Sequence, residues 1–291
     1  MESFFELREV KRAQGKFLCV GLDPQPEYLP KGVSAIEYLY RVVEATIGIA
    51  GCFKPNLAFF EAMGWQQGGW ILESLVAQIK HLDTEMPVIA DGKRGDIGDT
   101  NRFYAEWIYS KLGADAMTVN PYPGLGKAAD VFLSYGGKMT IALCRTTNEG
   151  AREFQDRLVD VSDDPVTKRD KVPLYQLVAR DVSRDWSQKG SVGLLAAATY
   201  PDDIAAIRSI ARTTFLLIPG VGKQKGDLER SVGYALGPGE GSDFVISVST
   251  NVLYAYQTEQ FGTSPIRFDE AAAAAAEYYD QQIREALQKT A

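Results

Sequence analysis

The sequence predicts an α/β fold, a (β/α)8 barrel, and three observations carry the prediction. Eight short runs rich in Val, Ile, Leu and Phe recur along the 291 residues, each run ends in polar or glycine-rich residues, and longer amphipathic or polar segments separate them. Such alternation marks βα units around a parallel sheet, whose strands are covered on both faces and so read as continuous apolar runs. Barrels of this kind use about 250 residues in one domain, so residues 1–291 are expected to form a single domain. A doubly wound open sheet is the structural alternative, but no GxGxxG motif follows the first run.

Taken in order, the expected strands are FLCVGLD (17 to 23), GCFKPN (51 to 56), PVIADGK (87 to 93), AMTVNPY (116 to 122), MTIALCRTT (139 to 147), VGLLAAAT (192 to 199), TFLLIPG (214 to 220) and DFVISVS (243 to 249). Between them the helical period is visible. Ile36, Leu39, Val43 and Ile47 form one stripe behind a Ser34–Glu37 capping pair, and Leu72, Val76 and Ile79 form another. Residues 150 to 173, charged and poorly periodic, read as a surface insertion after the fifth strand rather than a second domain. The alanine-rich stretch DEAAAAAAEYYDQQIREAL reads as a packed helix.

Composition narrows the function. The chain is 45% hydrophobic and 24% charged, within the range that buries a core without metals or disulfides. A formal charge of −7 argues against a general nucleic-acid binder, which needs a basic surface. The start, MESFFELREVKRAQGKF, is not a signal peptide, and no run approaches the ~20 apolar residues of a membrane span. Cys19, Cys52 and Cys144 lie in apolar runs without paired spacing, which suits reduced thiols in a cytoplasmic protein. The single histidine, His81, ends an amphipathic run and reads as an exposed residue near a helix C-terminus. Triads and metal sites built on histidine are therefore disfavoured, and catalysis falls to carboxylates and lysines.

In a barrel, side chains past the C-terminal strand ends converge on one mouth. Strand one ends in Asp23, strand two carries Lys54 and Asn56, strand three gives Asp91, Lys93 and Asp96, strand five ends at Thr146 and Thr147, and strand seven opens into PGVGKQKGD. Each has an ordinary reading beside the functional one. Asp23 precedes a proline and equally starts a turn. Alternating charges over 91 to 96 equally form a solvated turn. Lys54 within CFKPNLAFF is harder to place as structure alone, because a buried lysine needs an acidic partner. The glycine-rich loop reads either as a plain turn or as a cradle of backbone N–H groups for an anion, the place where barrels often hold phosphate.

These pieces together resemble the orotidine 5′-monophosphate (OMP) decarboxylase family in its longer bacterial form. The matching stretches are VGLDP (20 to 24), FKPNLAFFE (53 to 61), the DxKxxD element of DGKRGDIGDT (91 to 100), TVNPYPG (118 to 124), CRTTNEGA (144 to 151), ATYPDD (198 to 203) and PGVGKQKGD (219 to 227). They follow the family's order and span most of the chain. The resemblance implies a homodimer that converts OMP to uridine 5′-monophosphate (UMP) and CO2 with no metal or organic cofactor. It implies that Lys93 delivers the proton to C6, that Asp91 lies beside the departing carboxylate, and that Lys54 holds the array and touches the ribose. Asp91 and Asp96 would flank Lys93 and keep it charged, and Asp96, with Ile97 and Thr100, would reach into the partner subunit's site. Asp23 would contact the ribose, Thr147 the pyrimidine amide, and Gln224 with the backbone of Pro219, Gly220 and Gly222 the phosphate; Asn56 completes the substrate-binding set.

One departure stands out. The family runs Ser-Arg-Gly after the eighth strand, its arginine gripping the phosphate, whereas this chain has Ser249, Thr250 and Asn251. Threonine does not replace a bidentate guanidinium, and Lys223 and Lys225 are the nearby cations available to compensate. Two rivals share the pattern. A barrel decarboxylase of the 3-keto-L-gulonate-phosphate type holds Mg2+ with a similar acidic motif, and a non-catalytic barrel merely binds a nucleotide.

Overall fold

The computed structural model describes residues 2–124, 127–162, 171–237 and 243–290. Its strands are β1 (Leu18–Leu22), β2 (Cys52–Pro55), β3 (Ile89–Arg94), β4 (Ala116–Val119), β5 (Met139–Arg145), β6 (Leu158–Asp160), β7 (Lys171–Pro173), β8 (Ser191–Ala196), β9 (Phe215–Pro219) and β10 (Phe244–Val248). Eight of them form one parallel sheet in the order β2-β1-β10-β9-β8-β5-β4-β3. Parallel bridges between Phe53 and Val88 and between Asn56 and Asp91 join the two edge strands, so the sheet closes into a barrel. Each of the eight apolar runs coincides with one barrel strand, β3 and β8 overstepping theirs by one residue. β6 and β7 pair antiparallel inside the stretch 150 to 173, which leaves the barrel after β5 as a ribbon; residues 163–170 of that stretch lie outside the described residues.

Strand alternation splits the apolar residues into two cores. Cys19, Cys52, Ile89, Ala116, Met139, Ile141, Leu195, Phe215, Leu217 and Val245 pack together inside the barrel. The intervening Leu18, Val20, Phe53, Ala90, Met117, Leu216, Ile218 and Ile246 face the helices. An element that the sequence reading missed closes the bottom: helix Phe4–Ala13, capped by the reciprocal Ser3–Glu6 pair, buries Phe4 edge-to-face on Phe215 at 5.1 Å. Arg8 of that helix donates to both Asp243 oxygens at 3.0 Å, a fork that pins the base.

In helix Ala35–Thr46, Ser34 caps as expected by accepting from the Glu37 N–H. Its buried arc runs through Tyr38, Leu39, Val42 and Val43, and Ile36 and Ile47 are only half-buried flanks, because the face against the sheet is wider than one stripe. Helix Trp65–Leu82 buries Leu72, Val76 and Ile79 and leaves His81 exposed in its last turn. The alanine-rich stretch is helix Phe268–Thr290, whose small side chains allow close packing on helices Ala35–Thr46 and Leu228–Leu236.

Candidate active site

Each interior position one step further along a strand rises from the apolar floor toward the mouth, and there the residue types change. Cys52 is followed by Lys54 and Asn56, Ile89 by Asp91, Ala116 by Thr118, and Val245 by Ser247 and Ser249. These polar groups surround a cavity of about 600 Å3 floored by Leu143, Leu195 and Leu217. A volume of this size suits a small-molecule ligand.

The centre of the cavity is one carboxylate held by three donors. Asp91 Oδ2 accepts from Lys54 Nζ at 3.0 Å, and Oδ1 accepts from Lys93 Nζ at 2.7 Å and from Thr118 Oγ1 at 2.8 Å. Lys54 and Asp91 are buried, while 45% of the Lys93 side chain faces the open cavity. Burial works to raise the Asp91 carboxyl, but the two ammonium groups and the hydroxyl outweigh it and hold the group far below the usual carboxylate range. Burial likewise works against the Lys54 ammonium, and Asp91 and Asp23 reverse that and hold it above the ordinary lysine range. Both groups therefore stay charged, the only state in which such a buried pair is tolerable.

Lys93 reaches this position through an irregular backbone. The register of β3 on β4 shifts between Ala90 and Arg94, and Lys93 has φ of 49°, left-handed for a non-glycine residue. Strain of this kind costs roughly 1–3 kcal/mol and gathers at functional sites. The Lys93 N–H donates to Thr118 Oγ1 at 3.0 Å, so one threonine fixes both the strained turn and the carboxylate.

The rest of the wall comes from β1, β5, β9 and β10. Asp23 accepts from the Ser249 hydroxyl through Oδ2, and its Oδ1 is buried with no partner among the described residues. Thr147 Oγ1 accepts from Gln224 Nε2 at 2.9 Å, tying the β5 loop to the glycine-rich loop. Gly220 and Gly222 have φ of 104° and 91°, and a Cβ on either would stand 2.9 Å from Thr147 or Asn251, so the turn needs glycine at both places. Thr250, Asn251 and Lys223 line the same end of the cavity. Lys223 has no carboxylate partner among the described residues, and Lys225 lies outside the lining.

Of the residues that the sequence pointed to, Lys54, Asp91, Lys93, Asp23, Asn56, Thr147, Pro219, Gly220, Gln224 and Thr250 meet around this one cavity, with Gly222 shaping the loop behind it. Asp96, Ile97 and Thr100 do not line it. Asp96 is therefore not the expected second anionic neighbour of Lys93, which among the described residues of the chain pairs with Asp91 alone: Asp96 sits in an exposed turn, where it accepts from the Ile97 N–H at 2.6 Å, and Ile97 is 68% exposed. Thr118, Ser249 and Asn251 were missed as partners, although Thr118 and Ser249 stand on the interior period of their strands. Among the described residues no group of three or more His, Cys, Asp and Glu side chains gathers that could hold a metal ion.

Comparison with known proteins agrees with this geometry. Residues 16–256 match the model of the orotidine 5′-phosphate decarboxylase / HUMPS family. The chain is 37% identical over 255 residues to an orotidine 5′-phosphate decarboxylase of Verminephrobacter eiseniae, covering 86% of this chain and 88% of that one. It superposes on the Leishmania donovani OMP decarboxylase with a TM-score of 0.79 at 32% identity, covering 98% of each chain. Against the Leishmania donovani UMP synthase the TM-score is 0.81 at 33% identity, over 98% of this chain but 56% of that one. A barrel with this site and these relatives has one assignment: the chain belongs to the orotidine 5′-phosphate decarboxylase / HUMPS family.

Proposed function

We propose that this protein decarboxylates OMP to UMP and CO2 in pyrimidine biosynthesis, and that Lys93 is the group that makes the reaction possible. Breaking the bond from C6 to its carboxylate leaves an electron pair in the ring plane, where no carbonyl can take it up. An ammonium fixed at that carbon stabilises the charge as it forms, and such preorganised electrostatics is usually the largest catalytic term. Lys93 Nζ then transfers a proton to C6 and becomes a neutral amine, while the former carboxylate leaves as CO2. The observation that carries this reading is the Lys54–Asp91–Lys93 array, buried at one end and open to the cavity at the other.

Asp91 does two things in this scheme. It keeps Lys93 in place, and its fixed negative charge stands beside the substrate carboxylate, which favours departure of CO2. Lys54 holds Asp91 and touches the ribose. The unpartnered Asp23 Oδ1 is an acceptor for a ribose hydroxyl, and Thr147 meets the pyrimidine amide. Gln224, the backbone of the glycine-rich loop and the unpaired Lys223 take the phosphate, with Thr250 at the edge. Binding energy from that distant phosphate draws the loops over the ring and is spent on catalysis.

Asp96, Ile97 and Thr100 belong, in this reading, to a homodimer with shared sites. The support is the exposed position of Asp96 and Ile97 together with Tyr122, 90% exposed on the neighbouring loop, which the Asn120 N–H bond to Arg94 O joins to the β3 turn. Cys19, Cys52 and Cys144 are all free thiols and buried, in keeping with a reducing cytoplasm, and no described helix is long and apolar enough to cross a membrane. The test is CO2 release from OMP in the presence of EDTA. Turnover unaffected by chelation is expected, and its abolition would replace this reading with the Mg2+-dependent one.

A further inference from the structure

Arg145 has no part in the reaction just described, yet it is a buried charge one residue from the cavity wall, with 2% of its side chain exposed. Its Nη1 lies 2.6 Å from Asp156 Oδ1, and its Nε lies 2.8 Å from Asp203 Oδ2, the latter out of line for a hydrogen bond and so an ionic contact. The Tyr200 and Tyr175 rings flank the guanidinium carbon at 4.1 and 5.2 Å. Arg145 therefore joins the first part of the β6–β7 excursion to helix Leu174–Arg184 and to the loop after β8. A guanidinium is buried at this depth only when paired, and losing a partner strands its charge.

What Arg145 joins leads directly into the site. Next to Asp156, Gln155 makes a reciprocal pair with Thr146: the Thr146 N–H donates to Gln155 Oε1 at 3.1 Å, and Gln155 Nε2 donates to Thr146 Oγ1 at 2.9 Å. Thr147 follows, with its hydroxyl accepting from Gln224. We propose that Arg145 is a positioning residue: by clamping Asp156 it seats Gln155 against Thr146, so that residues 152–156 set where the Thr147 hydroxyl stands in the cavity wall. The kinetic consequence rests on the functional reading above; the structural one does not.

Because Arg145→Met would strand two carboxylates and is liable to misfold, the test uses Gln155→Ala and Asp156→Asn, both at the surface end of the clamp. Amide exchange at Thr146 in the free protein is expected to accelerate in both. KM for OMP is expected to rise roughly three- to tenfold, the size of one neutral hydrogen bond, with kcat within about twofold. In a Thr147→Val background, where the hydroxyl being positioned is gone, Gln155→Ala should change KM by less than about twofold. A lowered Tm with Thr146 exchange and KM unchanged would mean a purely architectural clamp and overturn the proposal, as would full additivity with Thr147→Val. If the unsubstituted protein turned over no OMP, the functional reading would fall, and the exchange measurement alone would decide this one.

Discussion

Replacing Lys93 by alanine removes the ammonium and the proton together, and the structure allows the loss to be sized. Lys93 Nζ lies 2.7 Å from the Asp91 carboxylate and faces the cavity, so a ring carbon in contact with it would stand at a comparable distance. Two unit charges about 3 Å apart at an effective dielectric of about 20 attract by roughly 5 to 6 kcal/mol. A developing carbanion bears part of a charge, which leaves roughly 3 kcal/mol, or about 100-fold in kcat. Loss of a positioned proton donor removes a further ~100- to 10,000-fold. A fall in kcat of at least about 10,000-fold is therefore expected, measured as CO2 release from OMP under saturating substrate. UMP binding by calorimetry should remain measurable, because the residues proposed to meet the ribose, pyrimidine and phosphate are unchanged. Turnover within tenfold of the original would show that another group supplies the charge and the proton.

Further outcomes follow from the same geometry. Lys54→Met breaks a buried pair 3.0 Å long and should destabilise the protein by about 3 kcal/mol, the low end for such a loss because Lys93 and Thr118 still hold Asp91; guanidinium unfolding checks it, and a loss under ~1 kcal/mol would refute the estimate. The pH dependence has a definite sign. The folded Asp91 carboxyl lies below its unfolded value, so its stabilisation is present above the ordinary carboxylate pKa of about 4 and lost as pH falls further. The gap between the parent and Lys54→Met should therefore be flat from about pH 5 to 8 and narrow below about pH 4. Thr250→Arg adds a guanidinium where no arginine among the described residues lines the cavity and should lower KM about tenfold or more, whereas Lys223→Met should raise KM and Lys225→Met leave it unchanged. An unchanged KM in the first two would show that the loop backbone and Gln224 suffice for the phosphate.

The barrel and the cluster of polar residues at its mouth were legible in the sequence for one reason. Strand alternation and the βα rhythm are local properties, so eight apolar runs ending in Asp23, Lys54, Asp91, Lys93 and Thr147 already imply one mouth where those side chains converge. Lys54 in an apolar context likewise demanded a buried anion. What sequence spacing could not supply was anything that depends on contacts between distant strands. That Thr118 braces Asp91, that Ser249 meets Asp23 and that Lys223 rather than Lys225 faces the cavity all follow from barrel closure and loop turns. The N-terminal helix that plugs the base through Phe4 and Arg8, and the clamp from Arg145 to the excursion, were invisible for the same reason. Local periodicity determines which face a residue takes, whereas its partners are chosen only when the sheet closes and brings strands far apart in the chain within hydrogen-bonding distance.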